Sequence, residues 1–285
     1  MPAGINRIRR ETCVLGIATR YYREGHGPAV VLLHGGAPGA CSDVNWGVAF
    51  NSLCDGGYDV IAYDQPGFGH SDAPADHSIE FRYRHAVAFL DQLKLKDVIL
   101  VGNSIGGLLA AMMRTREATL PFAIRAIVAV APYPHFPLSP AGDKAMSSMR
   151  GRFSSLQPTL ESVEAVCRNT FYSAGKLSPD LVKLRLDMIA GRNWDAIAAR
   201  REAGNGFGDD VLGKKIPGPT LVVWGMNDRS IPVQVGYEAI GRFEDAEFVF
   251  LPDCGHWPQT EQAELFTNHL TSFLQNLGRS AQEAA

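Results

Sequence analysis

The stretch that most limits what this chain can become is residues 99–109, ILVGNSIGGLL. An apolar, β-branched run passes through Gly-Asn-Ser104-Ile-Gly-Gly into a helix-forming segment, so the sequence predicts a strand, a sharp turn and a helix. The turn has the pattern G-x-S-x-G, in which small residues flank a serine held in a strained backbone conformation and let the helix pass close to the strand. Its hydroxyl then stands exposed at the top of a sheet. A lone serine hydroxyl is a weak nucleophile, so a catalytic reading requires a histidine to take its proton and an acid to orient that histidine. Without those partners the same letters describe an ordinary serine in a glycine-rich loop.

Strand signals at 12–22, 29–33, 59–63, 97–101, 124–130, 220–224 and 248–251 alternate with helical stretches at about 79–93 and 105–116. An amphipathic helix closes the chain. Continuous apolar runs such as AVVLL belong to strands buried on both faces, and the alternation predicts right-handed crossovers and a mostly parallel sheet flanked by helices, an α/β fold. After Ala131 the character changes: Pro132, Pro134, Pro137 and Pro140 break regularity, and residues 143–212 read as helices with no strand-like run. The expected organisation is a core of residues 1–131 and 213–285, with a helical cap (lid), 132–212, inserted after the sixth strand over the carboxyl ends of the strands. The cap is rich in large apolar residues: Met146, Met149, Phe153, Phe171, Tyr172, Met188 and Trp194.

At 285 residues and 46% hydrophobic, the chain can bury one large core and carry such an insertion. A formal charge of -3 and a pI near 6.2 argue against nucleic acid or an anionic membrane as partners. Neither a signal peptide nor a membrane span is predicted, because the basic N-terminal residues are followed by no apolar core. The five cysteines form an odd set with no C-x-x-C spacing, which predicts free thiols in a reducing cytoplasm and neither a disulfide framework nor a metal site.

Past the strand at 29–33 lies His34-Gly-Gly-Ala-Pro-Gly-Ala40, a loop dense enough in glycine for backbone N–H groups to point into open space, as an oxyanion hole requires. His34 reads as a residue pinning that loop. Asp228 follows the strand at 220–224, where it either reaches the face of Ser104 or caps the following helix. His256 follows the last strand. The order Ser104, Asp228, His256, each just past a parallel strand, is that of the α/β-hydrolase triad. His256 is then the base, Asp228 fixes its tautomer, and Ile105 N–H joins an N–H from Gly36 or Ala37 to bind the oxyanion; no cofactor is needed. Asp253 is a rival acid but stands too near His256 in sequence to reach the far ring nitrogen comfortably.

Taken together, HGGAPGA followed by Asn45, DQPGFGHSD, GNSIGG, WGMNDRSIP and CGHW resemble the meta-cleavage product hydrolases, carbon-carbon bond hydrolases of aromatic ring degradation. The resemblance spans about 32–266 and is weakest in the cap. It implies an α/β-hydrolase fold and a ketonic carbon-carbon hydrolase (EC 3.7.1 type). Its small-molecule substrate would be a 2-hydroxy-6-oxohexa-2,4-dienoate, split by water into 2-hydroxypenta-2,4-dienoate and a carboxylic acid. It also implies a homo-oligomer, a dimer or larger. Gly35, Asn45, Asn103, Trp257 and a cap arginine would hold the dienoate end; Arg185 matches best and Arg192 is the reserve. A planar guanidinium suits a planar carboxylate. The sequence departs from the family at Ala37, where a third glycine is usual, at Asp43 and Val44, which replace an aromatic-polar pair, and at Ile105, where Met or Leu is commoner. A carboxylesterase or lactonase would use the same triad, a haloalkane dehalogenase would need Asp at position 104, and a non-catalytic binding protein would usually lack a triad member.

Overall fold

Eight strands form one sheet in the order β1-β2-β4-β3-β5-β6-β7-β8, where β1 is Arg10–Val14, β2 Ile17–Glu24, β3 Ala29–Leu33, β4 Asp59–Tyr63, β5 Asp97–Asn103, β6 Ala123–Val130, β7 Ile216–Gly225 and β8 Phe243–Leu251. The computed structural model describes residues 5, 7–147, 159–189, 192–203 and 206–283. From β4 to β8 all neighbours run parallel, and only the β1–β2 and β2–β4 pairs are antiparallel. The apolar strands serve two cores at once. In β3, Val31 and Leu33 join one cluster while Val30 and Leu32 join another on the opposite face, as the two-residue period of a strand dictates. Helices α2 (Ile79–Gln92), α3 (Ile105–Thr115) and α8 (Val233–Ala239) cover the first face; α1 (Ser42–Asp55) and the C-terminal helix α10 (Ala263–Glu283) cover the second.

Two local expectations need correction, and one helix goes beyond them. Residues 12–22 do not form one strand: Leu15 and Gly16, both at positive φ (48° and 79°), turn the chain between β1 and β2. Strands β7 and β8 begin earlier than their apolar runs, at Ile216 and Phe243, because their first halves pair at the sheet margin with mixed polarity. Helix α1 has no counterpart in the sequence reading. It buries Ser42, Asp43 and Asn45 alongside Val44, Trp46, Ala49, Phe50 and Leu53, and these buried polar positions erase the apolar periodicity that marks a helix.

Between β6 and β7 the described residues hold helices α4 (Pro140–Ser147), α5 (Leu160–Thr170), α6 (Pro179–Ile189) and α7 (Arg192–Ala203) and no strand. Val163, Cys167 and Phe171 from α5 and its end, with Leu181, Val182, Met188 and Ile189 from α6, pack against Cys41 and Val44 at the start of α1 and against Trp257 of the loop after β8. Of the large apolar residues expected in a cap, Phe171 and Met188 sit in this cluster, Met146 joins the core beneath, and Tyr172 is partly exposed. Met149 and Phe153, and the side chains of Arg192 and Trp194, lie outside the described residues.

Candidate active site

Ser104 occupies the turn between β5 and α3 with φ 55° and ψ −118°, a conformation that non-glycine residues rarely adopt and that is concentrated at functional sites. The flanking glycines explain how the turn closes. A Cβ on Gly102 would collide with the Gly106 carbonyl, and one on Gly106 with the Leu33 carbonyl, so strand and helix approach at a distance no larger residue permits. The Ser104 N–H donates to Val130 O (2.9 Å) and its carbonyl accepts from Tyr133 N–H (3.0 Å), which locks the turn between β6 and the chain leaving it.

His256 and Asp228 arrive from the ends of β8 and β7. His256 Nδ1 lies 2.7 Å from Asp228 Oδ2, and both side chains are almost fully enclosed. Because a carboxylate only accepts, Nδ1 carries the proton and Nε2 keeps its lone pair, the tautomer a general base needs. The second carboxylate oxygen, Oδ1, accepts from Ser230 N–H (2.7 Å) and Ile231 N–H (2.9 Å), so Asp228 braces its own turn while orienting the imidazole. The imidazole's partner is Asp228 and not the rival Asp253. Asn103, the residue before Ser104, donates through Nδ2 to His256 O (3.2 Å), which sets the histidine loop beside the serine turn.

The glycine loop after β3 lies directly over this turn. A Cβ on Gly35 would stand 3.4 Å from Ser104 Cβ, and one on Gly36 would stand 3.2 Å from Ile105 Cγ1. Ala37 packs against the α5–α6 cluster. His34 holds the loop with both nitrogens: Gln65 N–H donates to Nε2 (2.9 Å), which leaves the proton on Nδ1 to donate to Gly35 O (2.7 Å). Complete burial pushes its pKa down to about 3, so the ring is neutral. Gln65 Nε2 also donates to His34 O (2.6 Å), and Gln65 Oε1 accepts from Arg82 Nε and Nη2 (3.0 and 2.6 Å).

Arg185, on α6, is fully buried. Its Nη2 donates to Pro38 O (2.5 Å), and its guanidinium carbon stands 4.2 Å from the centroid of the Trp257 ring. Nε and Nη1 are buried with no hydrogen-bond partner, and burial pushes the pKa of the group down from its ordinary value. Trp257 meets Phe171 edge-on at 5.5 Å. Asn45 Nδ2 donates to Asn103 Oδ1 (3.3 Å), while Asn45 Oδ1 is buried without a partner. Asn103 is more fully engaged, since Nδ2 also donates to Val130 O (3.1 Å).

Sequence reasoning missed two residues that support this arrangement, Gln65 and Glu261. Glu261 ends the short helix α9 (Pro258–Glu261), is 5% exposed, and accepts backbone N–H groups from Gly255, Tyr172 and Ser173 at 2.7, 3.0 and 2.7 Å. The only signal in the sequence is an acid in the first turn after the CGHW loop. Among the described residues no cluster of three or more His, Cys, Asp or Glu side chains is placed to hold a metal ion, and no helix is long and apolar enough to cross a membrane.

Comparison with known proteins agrees with this geometry. Residues 28–263 match the alpha/beta hydrolase fold family. A 2-hydroxy-6-oxononadienedioate/2-hydroxy-6-oxononatrienedioate hydrolase of Cupriavidus pinatubonensis is 31% identical over 260 residues, covering 87% of this chain and 86% of the relative. A 2-hydroxy-6-oxo-6-(2'-aminophenyl)hexa-2,4-dienoic acid hydrolase of Metapseudomonas resinovorans is 30% identical, covering 95% and 92%. The crystal structure of a serine hydrolase involved in carbazole degradation superposes with a TM-score of 0.79 at 28% identity, covering 94% of this chain and 98% of that one. The chain belongs to the α/β-hydrolase fold family and, within it, to the meta-cleavage product hydrolases, serine-type hydrolases of carbon-carbon bonds in aromatic degradation.

Proposed function

We propose that this chain hydrolyses the C5–C6 bond of a 2-hydroxy-6-oxohexa-2,4-dienoate, releasing 2-hydroxypenta-2,4-dienoate and the carboxylic acid that carries the C6 substituent. The observation that carries this reading is Arg185, a fully buried guanidinium over Trp257 with two N–H-bearing nitrogens unpartnered. Leaving buried donors unsatisfied is costly, and the planar carboxylate of a dienoate supplies two acceptor oxygens in the matching fork geometry. The two relatives named above share the 2-hydroxy-6-oxo dienoate chain and differ in what its far end bears. The proposal takes the shared part.

A carbon-carbon bond beside a dienol cannot leave until C5 is protonated, so the substrate first becomes its 2-oxo tautomer. Ser104 Oγ then adds to C6 while its proton passes to His256 Nε2, and the negative charge on the C6 oxygen is met by Ile105 N–H with an N–H of Gly36 or Ala37. Collapse breaks C5–C6. The electron pair spreads through C4 and C3 to the C2 oxygen, which takes the proton back from the imidazolium. Water, deprotonated by the same imidazole, frees the acid from Ser104. Gly35, Asn45 and Trp257 line the dienoate end, and Asn103 positions Asn45 and the histidine loop. Residues 132–212 act as the cap, delivering Arg185 from above. The reading also places a homo-oligomeric enzyme in the cytoplasm, where its five free cysteines suit a reducing compartment.

The triad alone would serve an ester or lactone equally well, so the test is a comparison. Purified protein is mixed with a yellow dienoate, followed by visible absorbance, and with p-nitrophenyl esters. Faster turnover of the dienoate supports the proposal. Faster ester hydrolysis makes the chain an esterase, and turnover of neither makes it a binding protein.

A further inference from the structure

The loop that delivers His256 has little regular structure of its own. It runs from Pro252 to Trp257 through Asp253 at φ 50°, and most of its fixings come from outside it. Asn227 N–H donates to Cys254 O (2.9 Å), Gln262 Nε2 donates to Pro252 O (2.6 Å) and Asp253 O (3.1 Å), and His256 N–H donates to Thr170 O (2.8 Å) at the end of α5. Gly255 is pressed so closely on the same segment that a Cβ there would collide with Thr170 O. Two backbone stretches distant in sequence, 170–173 and 254–257, thus run against each other, and their side chains Phe171 and Trp257 continue the contact up to Arg185.

We propose that Glu261 is a positioning residue for His256, clamping the histidine loop to the end of α5 through one buried carboxylate. Oε2 accepts from Gly255 N–H on the histidine loop and from Tyr172 N–H beyond α5, while Oε1 accepts from Ser173 N–H. Three donors from two segments converge on one acceptor-only group. A carboxylate satisfies all three, whereas an amide offers one acceptor oxygen and turns its own N–H groups toward backbone N–H. The clamp reaches Gly255, one residue from His256, on one side and Tyr172, one residue from Phe171, on the other. It therefore fixes the imidazole relative to the cap as well as to the sheet. The chemical step feels this directly, because a base displaced by a fraction of an ångström loses much of its rate.

This inference rests on His256 being the base, and the test separates the two. Glu261→Gln and Glu261→Ala are compared with the unmodified enzyme on p-nitrophenyl acetate, whose hydrolysis needs the triad but no carboxylate anchor, and on a dienoate. Circular dichroism and the melting temperature establish that each variant is folded at the assay temperature; Glu261→Gln keeps one acceptor and serves if Glu261→Ala does not fold. The expected result is a fall of about tenfold or more in ester kcat with KM within about twofold. A matching change is expected in the downfield proton resonance of His256 Nδ1–H. A folded variant with unchanged kcat and resonance overturns the proposal, and so does a loss that disappears once activity is normalised to the folded fraction. An unmodified enzyme that hydrolyses the ester but not the dienoate would overturn the carbon-carbon reading and leave the Glu261 proposal standing on the ester data.

Discussion

Arg185 and Trp257 come from separate parts of the chain, one from helix α6 between β6 and β7 and the other from the loop after β8, and meet with the guanidinium carbon 4.2 Å from the indole centroid. Trp257 directly follows His256. The contact therefore places a buried cation one residue from the proposed general base, and stacking on an aromatic face leaves the in-plane N–H groups of the guanidinium free to bind.

For Arg185→Gln, stopped-flow absorbance should show dienoate decay slowed by at least about tenfold, about 1.4 kcal/mol. Hydrolysis of p-nitrophenyl acetate should be nearly unchanged, since an ester brings no carboxylate to that end. Equal losses on both substrates would assign Arg185 a packing role. No loss on either would move the anchor to Arg192.

Ser104→Ala should fold normally, because Ser104 is partly exposed and its backbone bonds to Val130 and Tyr133 do not involve the side chain. Alanine keeps the Cβ already accommodated at φ 55°. Turnover should fall by about three orders of magnitude or more, with dienoate binding retained in equilibrium titrations. A variant keeping more than about a tenth of the activity on every substrate would exclude Ser104 as the nucleophile.

Phe171 is 2% exposed and meets the Trp257 ring edge-on within the cluster under the site. Phe171→Leu preserves most of the buried volume but removes the edge-to-face contact, worth about 0.5–1.5 kcal/mol. Competition assays with alkyl and aryl dienoates should reveal a changed ranking, within the roughly 1–3 kcal/mol that one pocket contact supplies. An unchanged ranking across Phe171→Leu and further cap substitutions would remove the cap from specificity.

What was legible in the sequence is what backbone geometry writes into residue type. The turn at Ser104 demands glycine at 102 and 106, so its identity survives in the letters, and Asp228 and His256 could be found because strand order puts both at the same end of the sheet. Glu261, Gln65 and helix α1 were not legible for the opposite reason. A buried carboxylate is defined by the donors around it, and those of Glu261 lie six residues before it and about ninety residues before it. Arg185 was picked out by resemblance. Its complete burial and its contact with Trp257 depend on how α6 docks, which no local pattern encodes.

Acid should unfold this protein through its histidines. Burial pushes His34 down to about 3, and His85 and His135 each to about 4, from an ordinary value near 6.5. For each, the folded pKa is below the unfolded one, so the unfolded chain binds the extra proton between about pH 6.5 and pH 3–4. Their stability contribution is full above about 6.5 and is lost as pH falls through that window, at about 1.4 kcal/mol per pH unit per proton. Asp64 works the other way: burial raises it to about 6 from 3.8, so its contribution is lost as pH rises through that range. Three groups against one leave a net loss on acidification. Urea midpoints measured from pH 7 to pH 4.5 should therefore decline. His135 makes the cleanest probe, because it is 1% exposed, leaves Nε2 unpartnered and meets Phe136 and Phe243 edge-on. His135→Phe places an apolar ring among apolar rings and should reduce the pH slope by about one proton, whereas Asp64→Asn should steepen it. A His135→Phe slope equal to that of the unmodified protein would show that this imidazole takes up its proton without unfolding the chain.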